Sequence, residues 1–134
     1  MNYIIPISIF IMLDSMYVSL VKVHYTNMIK NIQRGEALTV NIVSTVLSYF
    51  VLVFTLMYVV IPYALQKKET NISLSASYLA LTTGALIGFS IYGVFNTTNV
   101  ALFKNYSGVL ALIDTLWGSF LFFITTYVYI RMLT

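Results

Sequence analysis

SGVLALIDTLWGSFLFFITTYVYIR, residues Ser107 to Arg131, is the stretch that decides the fold. Before its closing Arg131 it contains one acid, Asp114, and no base. About 20 apolar residues suffice for a helix to cross a hydrocarbon core roughly 30 Å thick, so this stretch reads as a membrane span. Working back towards the start of the chain, three more such windows appear: Ser75 to Asn99, Thr39 to Leu65 and Tyr3 to Val23. The segments between them are short and carry most of the charge. The expected fold is all-α: a single domain over residues 1–134 that forms a four-transmembrane-helix antiparallel bundle with up-down connections.

The bulk composition agrees. The chain has 134 residues, 60% hydrophobic and 8% charged, with a mean hydropathy of +0.90, which excludes a water-soluble domain. With no cysteine, disulfide frameworks, thiolate metal sites and cysteine nucleophiles are all ruled out. A single histidine, His24, does not make a metal or haem site, and no cofactor is expected. The net charge of +3 is spread over the loops without a basic cluster, so nucleic acid is not an expected partner.

The first window is the least apolar because Asp14 interrupts it. Residues 4 to 22 nevertheless hold ten Ile, Leu, Val or Phe. Each contributes roughly −0.3 to −0.6 kcal/mol near a helix centre, which offsets the acid. Nothing basic precedes Lys22, unlike a cleavable leader, so a retained helix is expected. Lys22, Lys30, Arg34 and Lys104 flank the first and third loops, against Lys67, Lys68 and Arg131 on the other face. An excess of one leaves the orientation open. Pro6 fits a first helical turn and Pro62 a last one.

The two acids open a repeated pattern, Leu13-Asp14-x-x-Tyr17 and Ile113-Asp114-x-x-Trp117, with no Lys or Arg at their depth. A charged Asp at a helix centre costs roughly 2.5 to 3.5 kcal/mol on insertion scales, so each acid should face inward to a polar partner. At a rise of about 1.5 Å per residue, Asp14 lies about 14 Å from the face carrying the first and third loops, and Asp114 about 10 Å. On the same scale Ser44 to Ser48 lie about 8 to 14 Å deep and Tyr92 to Asn96 about 6 to 12 Å. One intramembrane polar cluster of Asp14, Tyr17, Ser44, Ser48, Tyr92, Asn96, Asn99 and Asp114 is therefore expected. With no cation at hand, at least one carboxyl is expected to be protonated and to hydrogen-bond to Asn96, Asn99, Tyr92 or Tyr17. Gly84 and Gly88, on the stripe that carries Tyr92, Asn96 and Asn99, and Gly118, in line with Asp114, are expected to pack helix on helix. Trp117 is expected to pack in the core beside Asp114.

Three uses of this cluster are open: structural cement between helices, a proton or cation pathway through Asp14 and Asp114, or chemistry. Two intramembrane acids suggest an aspartyl-type intramembrane hydrolase, but no Gly-x-Gly-Asp precedes either one. Four spans also leave little room for a substrate cleft. A non-enzymatic role is expected, with no catalytic residue and no metal site.

Leu13-Asp14-x-x-Tyr17, Pro62-x-Ala64-Leu65, the string Gly84-Ala85-Leu86-x-Gly88-x-x-x-Tyr92-x-x-Phe95-Asn96-x-Thr98-Asn99-x-Ala101 and Asp114-x-x-Trp117-Gly118 follow one another over nearly the whole chain. In order and spacing they resemble the small membrane proteins grouped as domain of unknown function 2177. The resemblance implies a four-helix membrane protein and brings no activity with it. Its pattern has an acid where Asn96 stands and a Trp where Tyr17 stands. Losing a third acid while keeping an amide shifts weight towards the structural reading. Similar chains occur in bacteria and in large DNA viruses with membranes. The Ile-, Tyr- and Asn-rich usage suits an AT-rich genome. The expected role is thus a structural or assembly component of a membrane, with a viral internal membrane beneath a capsid as one setting. Its expected partners are the lipid bilayer and other membrane or capsid proteins.

Overall fold

The computed structural model describes residues 3–133, and all regular structure among them is helical. Four long apolar helices follow one another: α1 (Ile4–Ile32), α2 (Ile42–Thr70), α3 (Ala76–Leu102) and α4 (Gly108–Leu133). With 26 to 29 residues each, they measure about 40 Å, more than the hydrocarbon core needs, so they tilt or extend past it.

The helices are longer than the apolar windows because polar residues continue the hydrogen-bonded ladder out of the membrane. α1 carries His24 and Lys30, expected outside the span, within its last three turns, and His24 is exposed. It stops where Arg34 and Gly35 adopt φ of 57° and 99°. The Gly35 amide donates to the Lys30 carbonyl at 2.8 Å, a closing bond that requires this left-handed backbone. The other helices start on side-chain caps. Asn41 Oδ1 accepts from the Ser44 amide at 3.0 Å, Ser75 Oγ from the Tyr78 amide at 3.2 Å, and Ser107 Oγ from the Leu110 amide at 3.2 Å.

Pro62 does not sit in a last turn. α2 continues through it to Thr70, and a π-helical segment, Leu56–Val60, immediately precedes it. Proline lacks an N–H and crowds the carbonyl four residues back, and a widened turn upstream absorbs both defects. A second π segment, Ala80–Ala85, lies in α3, and the carbonyl of its last residue, Ala85, accepts from Ser119 Oγ of α4 at 2.9 Å. Lys68 Nζ, beyond α2's apolar window, donates to the carbonyls of Ile72 and Leu74 and ties down the turn into α3.

Contacting pairs show that α1 and α4 run antiparallel: Phe10 meets Phe122, Asp14 meets Trp117, Tyr17 meets Asp114, and Met28 meets Ser107. α3 and α4 are antiparallel too, and they pack closest. A Cβ on Gly84 would lie 2.6 Å from both the Phe122 carbonyl oxygen and Thr126 Oγ1, and one on Gly88 would collide with the Gly118 carbonyl. Only glycines allow this backbone approach, the usual way helices adhere in lipid. The main core joins Phe10, Leu56, Met57, Val60, Ile61, Leu121, Phe122 and Tyr129. Its buried α2 members all come from the second half, with half-buried Leu52 and Val53 packed against them. The first half, Ile42–Thr55, has no fully buried residue and is only loosely packed, leaving grooves towards α1 and α3.

Candidate functional site: two acids clasped by four helices

Asp14 and Asp114 are both buried, and each accepts two hydrogen bonds from other helices. Asp14 Oδ1 accepts from Trp117 Nε1 of α4 at 3.0 Å, and its Oδ2 accepts from Tyr49 Oη of α2 at 2.6 Å. Asp114 Oδ1 accepts from Tyr17 Oη of α1 at 3.0 Å, and its Oδ2 accepts from Asn96 Nδ2 of α3 at 2.8 Å. The two Asp-x-x-aromatic patterns therefore serve one another: on antiparallel helices, each acid lies opposite the other's aromatic residue. The Tyr17 and Trp117 rings stack at 4.7 Å with an interplanar angle of 9°, linking the two halves of the clasp. A stack of this kind adds about 0.5 to 1.5 kcal/mol beyond its area.

Several expected members are placed differently. Ser44 and Ser48 are exposed and do not donate to either acid. The Ser48 hydroxyl returns to the Ser44 carbonyl at 2.8 Å, because a short hydroxyl on a helix is satisfied by the carbonyl four residues back. Tyr92 takes part through its ring, which packs over Gly118, and through its carbonyl, which accepts from Asn96 Nδ2 at 2.9 Å. Asn99 Nδ2 donates to Tyr106 Oη at 3.5 Å and to neither acid. Burial raises the Tyr106 phenol above its ordinary pKa, so it stays protonated. Trp117, expected only to pack beside Asp114, instead donates to Asp14.

Tyr49 was missed by the sequence reading, although it lies at the depth of Asp14 and has the reach of a long phenol. Serine spacing drew attention to the wrong face of α2. At position 96 an amide can donate to Asp114, whereas an ionised acid would repel it, so the departure from the resemblance has a direct structural effect. Among the described residues four buried side-chain oxygens lack a well-formed hydrogen bond, Asn96 Oδ1, Tyr25 Oη, Thr126 Oγ1 and Tyr129 Oη, and of these Tyr25 Oη neighbours the Tyr17 and Tyr106 phenols. No group of three or more His, Asp or Glu occurs among the described residues.

Residues 1–130 match the family model described as predicted membrane protein, DUF2177. The chain belongs to the DUF2177 family. Comparison with curated proteins and with solved structures finds no match. The DUF2177 description states a membrane protein and no activity, so a functional reading rests on the clasp itself.

Proposed function

We propose that this DUF2177 protein is a non-enzymatic structural or assembly component of a membrane, held in one shape by the clasp of Asp14 and Asp114. The observation that carries this reading is that all four carboxylate oxygens accept from donors on other helices, and those donors come from every helix of the bundle. Each acid has its own pair of neutral donors, unlike a catalytic dyad in which two carboxyls share one proton. Loss of a buried partner costs about 1 to 3 kcal/mol, enough to make the clasp a determinant of shape. Its partners are lipid and other membrane proteins. Placing that membrane inside a virus particle, beneath a capsid, rests on the resemblance and the composition alone.

One observation favours a second reading, a small proton- or cation-coupled transporter using Asp14 and Asp114. Asp114 lines two grooves, one of which opens towards the end of α1 and the third loop. Proteoliposomes separate the two readings. The structural role predicts no proton or cation flux above empty vesicles and an intact fold in Asp114→Asn. A pH-driven flux that disappears in Asp114→Asn overturns it in favour of transport.

A further inference from the structure

The loose packing of the first half of α2 leaves a groove of about 570 Å³ between α2 and α3, walled by Leu47, Leu52, Ile91 and Phe95, with Asp114 also lining it. Ser44 and Ser48 line its α2 side. A second groove of about 390 Å³, lined by Tyr25, Gln33, Asn99 and Tyr106, shares Phe95 and Asp114 with the first. The two grooves adjoin at Phe95 and Asp114 and are treated together as one furrow that reaches from mid-membrane to the end of α1. Each volume falls in the range of about 300 to 1,000 Å³ typical of small-molecule sites, which are apolar with a few converging polar groups. By contrast, the groove between α1 and α2 is lined by Tyr49 and not by Asp14.

The polar atoms around this furrow determine what would fit. Each Asp114 oxygen accepts one hydrogen bond and has capacity for another. Asn96 Oδ1, buried without a donor, lies on the far side of α3 from the furrow, and Tyr25 Oη in the outer groove neighbours the Tyr17 and Tyr106 phenols. Asp114 is thus the one carboxyl that lines the furrow, and both of its oxygens have a lone pair to spare. No Lys or Arg side chain lines either groove. A saturated acyl chain would fill the walls and leave the acceptors unmet, while a carboxylate or phosphate head would be repelled.

We propose that the furrow binds a membrane-soluble primary amine, its head against Asp114 and its apolar body along Leu47, Leu52 and Ile91. An ammonium meeting the carboxylate, or a neutral amine taking the proton of the carboxyl, gives the same ion pair with no further reactant. Lys30 and Arg34 stand near the outer end, so the amine enters sideways from lipid through the α2/α3 groove. This site is independent of the scaffold reading, since a rigid bundle can carry it with or without transport.

The test uses the full chain in phosphatidylcholine nanodiscs with dodecylamine, dodecanol and dodecanoate as probes. Trp117 is the only tryptophan. It stacks on Tyr17, which in turn donates to Asp114, so its emission reports on the site. Dodecylamine is expected to give a saturable change in emission, with dodecanol at least tenfold weaker and dodecanoate inactive. Asp114→Asn should weaken the amine at least tenfold. Ser48→Phe, which obstructs the groove and leaves the carboxyl untouched, should do the same, and it carries the test if Asp114→Asn does not fold. An equal response to all three probes means acyl-chain filling only and overturns the proposal. So does undiminished amine binding in Ser48→Phe or in folded Asp114→Asn.

Discussion

Replacing Gly88 by Ala probes the close backbone approach of α3 to α4. The added Cβ would lie 2.9 Å from both the Gly118 carbonyl carbon and Phe122 Cβ, and closer still to the Gly118 carbonyl oxygen. Ordinary carbon contacts are about 3.5 to 4.0 Å. Backbone cannot rotate out of the way as a side chain can, so α3 and α4 must part by roughly 1 Å. Asn96 lies eight residues further along α3, about 12 Å away. If the helices part rigidly, its 2.8 Å bond to Asp114 stretches past useful length. Overpacking costs typically 1 to 3 kcal/mol, and an interhelical hydrogen bond in a membrane averages about 0.6 and reaches about 1.7. A loss of about 2 to 5 kcal/mol is expected on those two terms. Gly93→Ala on the same helix is the control. Its Cβ would meet Thr115 Cγ2 at 3.6 Å, an ordinary contact, and Ala gains up to about 1 kcal/mol of helix propensity. Denaturant titration in mixed micelles, followed by Trp117 emission, should place Gly88→Ala well below wild type and Gly93→Ala at or above it. If the two variants prove equally stable, the glycine-seam reasoning is wrong.

Other outcomes follow from the clasp. Asp114→Asn keeps size and an acceptor and should stay within about 1 kcal/mol of wild type, whereas Asp114→Leu strands Tyr17 Oη and Asn96 Nδ2 and should lose several times that, both read by the same titration. Tyr49→Phe removes the bond that tethers the first half of α2. Hydrogen exchange should speed up over Ile42–Thr55 and leave α4 unchanged. Trp117→Phe keeps a ring for stacking but drops the donor to Asp14, and a loss of about 0.6 to 1.7 kcal/mol is expected when the micelle titration is followed by circular dichroism, since the variant has no tryptophan.

Four spans, their order and the inward turn of both acids were legible because long apolar runs and isolated carboxyls carry strong physical constraints. The helix ends were less legible. His24, Lys30, Lys67 and Lys68 look like loop residues, yet polar side chains continue a helix outside lipid at little cost. Pro62 looked like a stop signal because the π segment that accommodates it leaves no mark in the sequence. Within the site, Tyr17 and Asn96 could be foreseen as partners of an acid, since they are polar groups at the right depth. Tyr49 and the donor role of Trp117 could not, because which helix lies opposite which acid depends on rotation about each helix axis. The loosely packed first half of α2 was equally hidden: its apolar residues read the same whether they meet protein or lipid.

The account rests on Asp14 of the first helix meeting Trp117 of the last. Ultraviolet resonance Raman of the indole N–H tests this directly, because Trp117 is the sole tryptophan. A hydrogen-bonded indole is expected in the wild type and in Asp114→Asn, and a free one in Asp14→Val. An indole signal unchanged by Asp14→Val, in protein that still folds, contradicts the clasp.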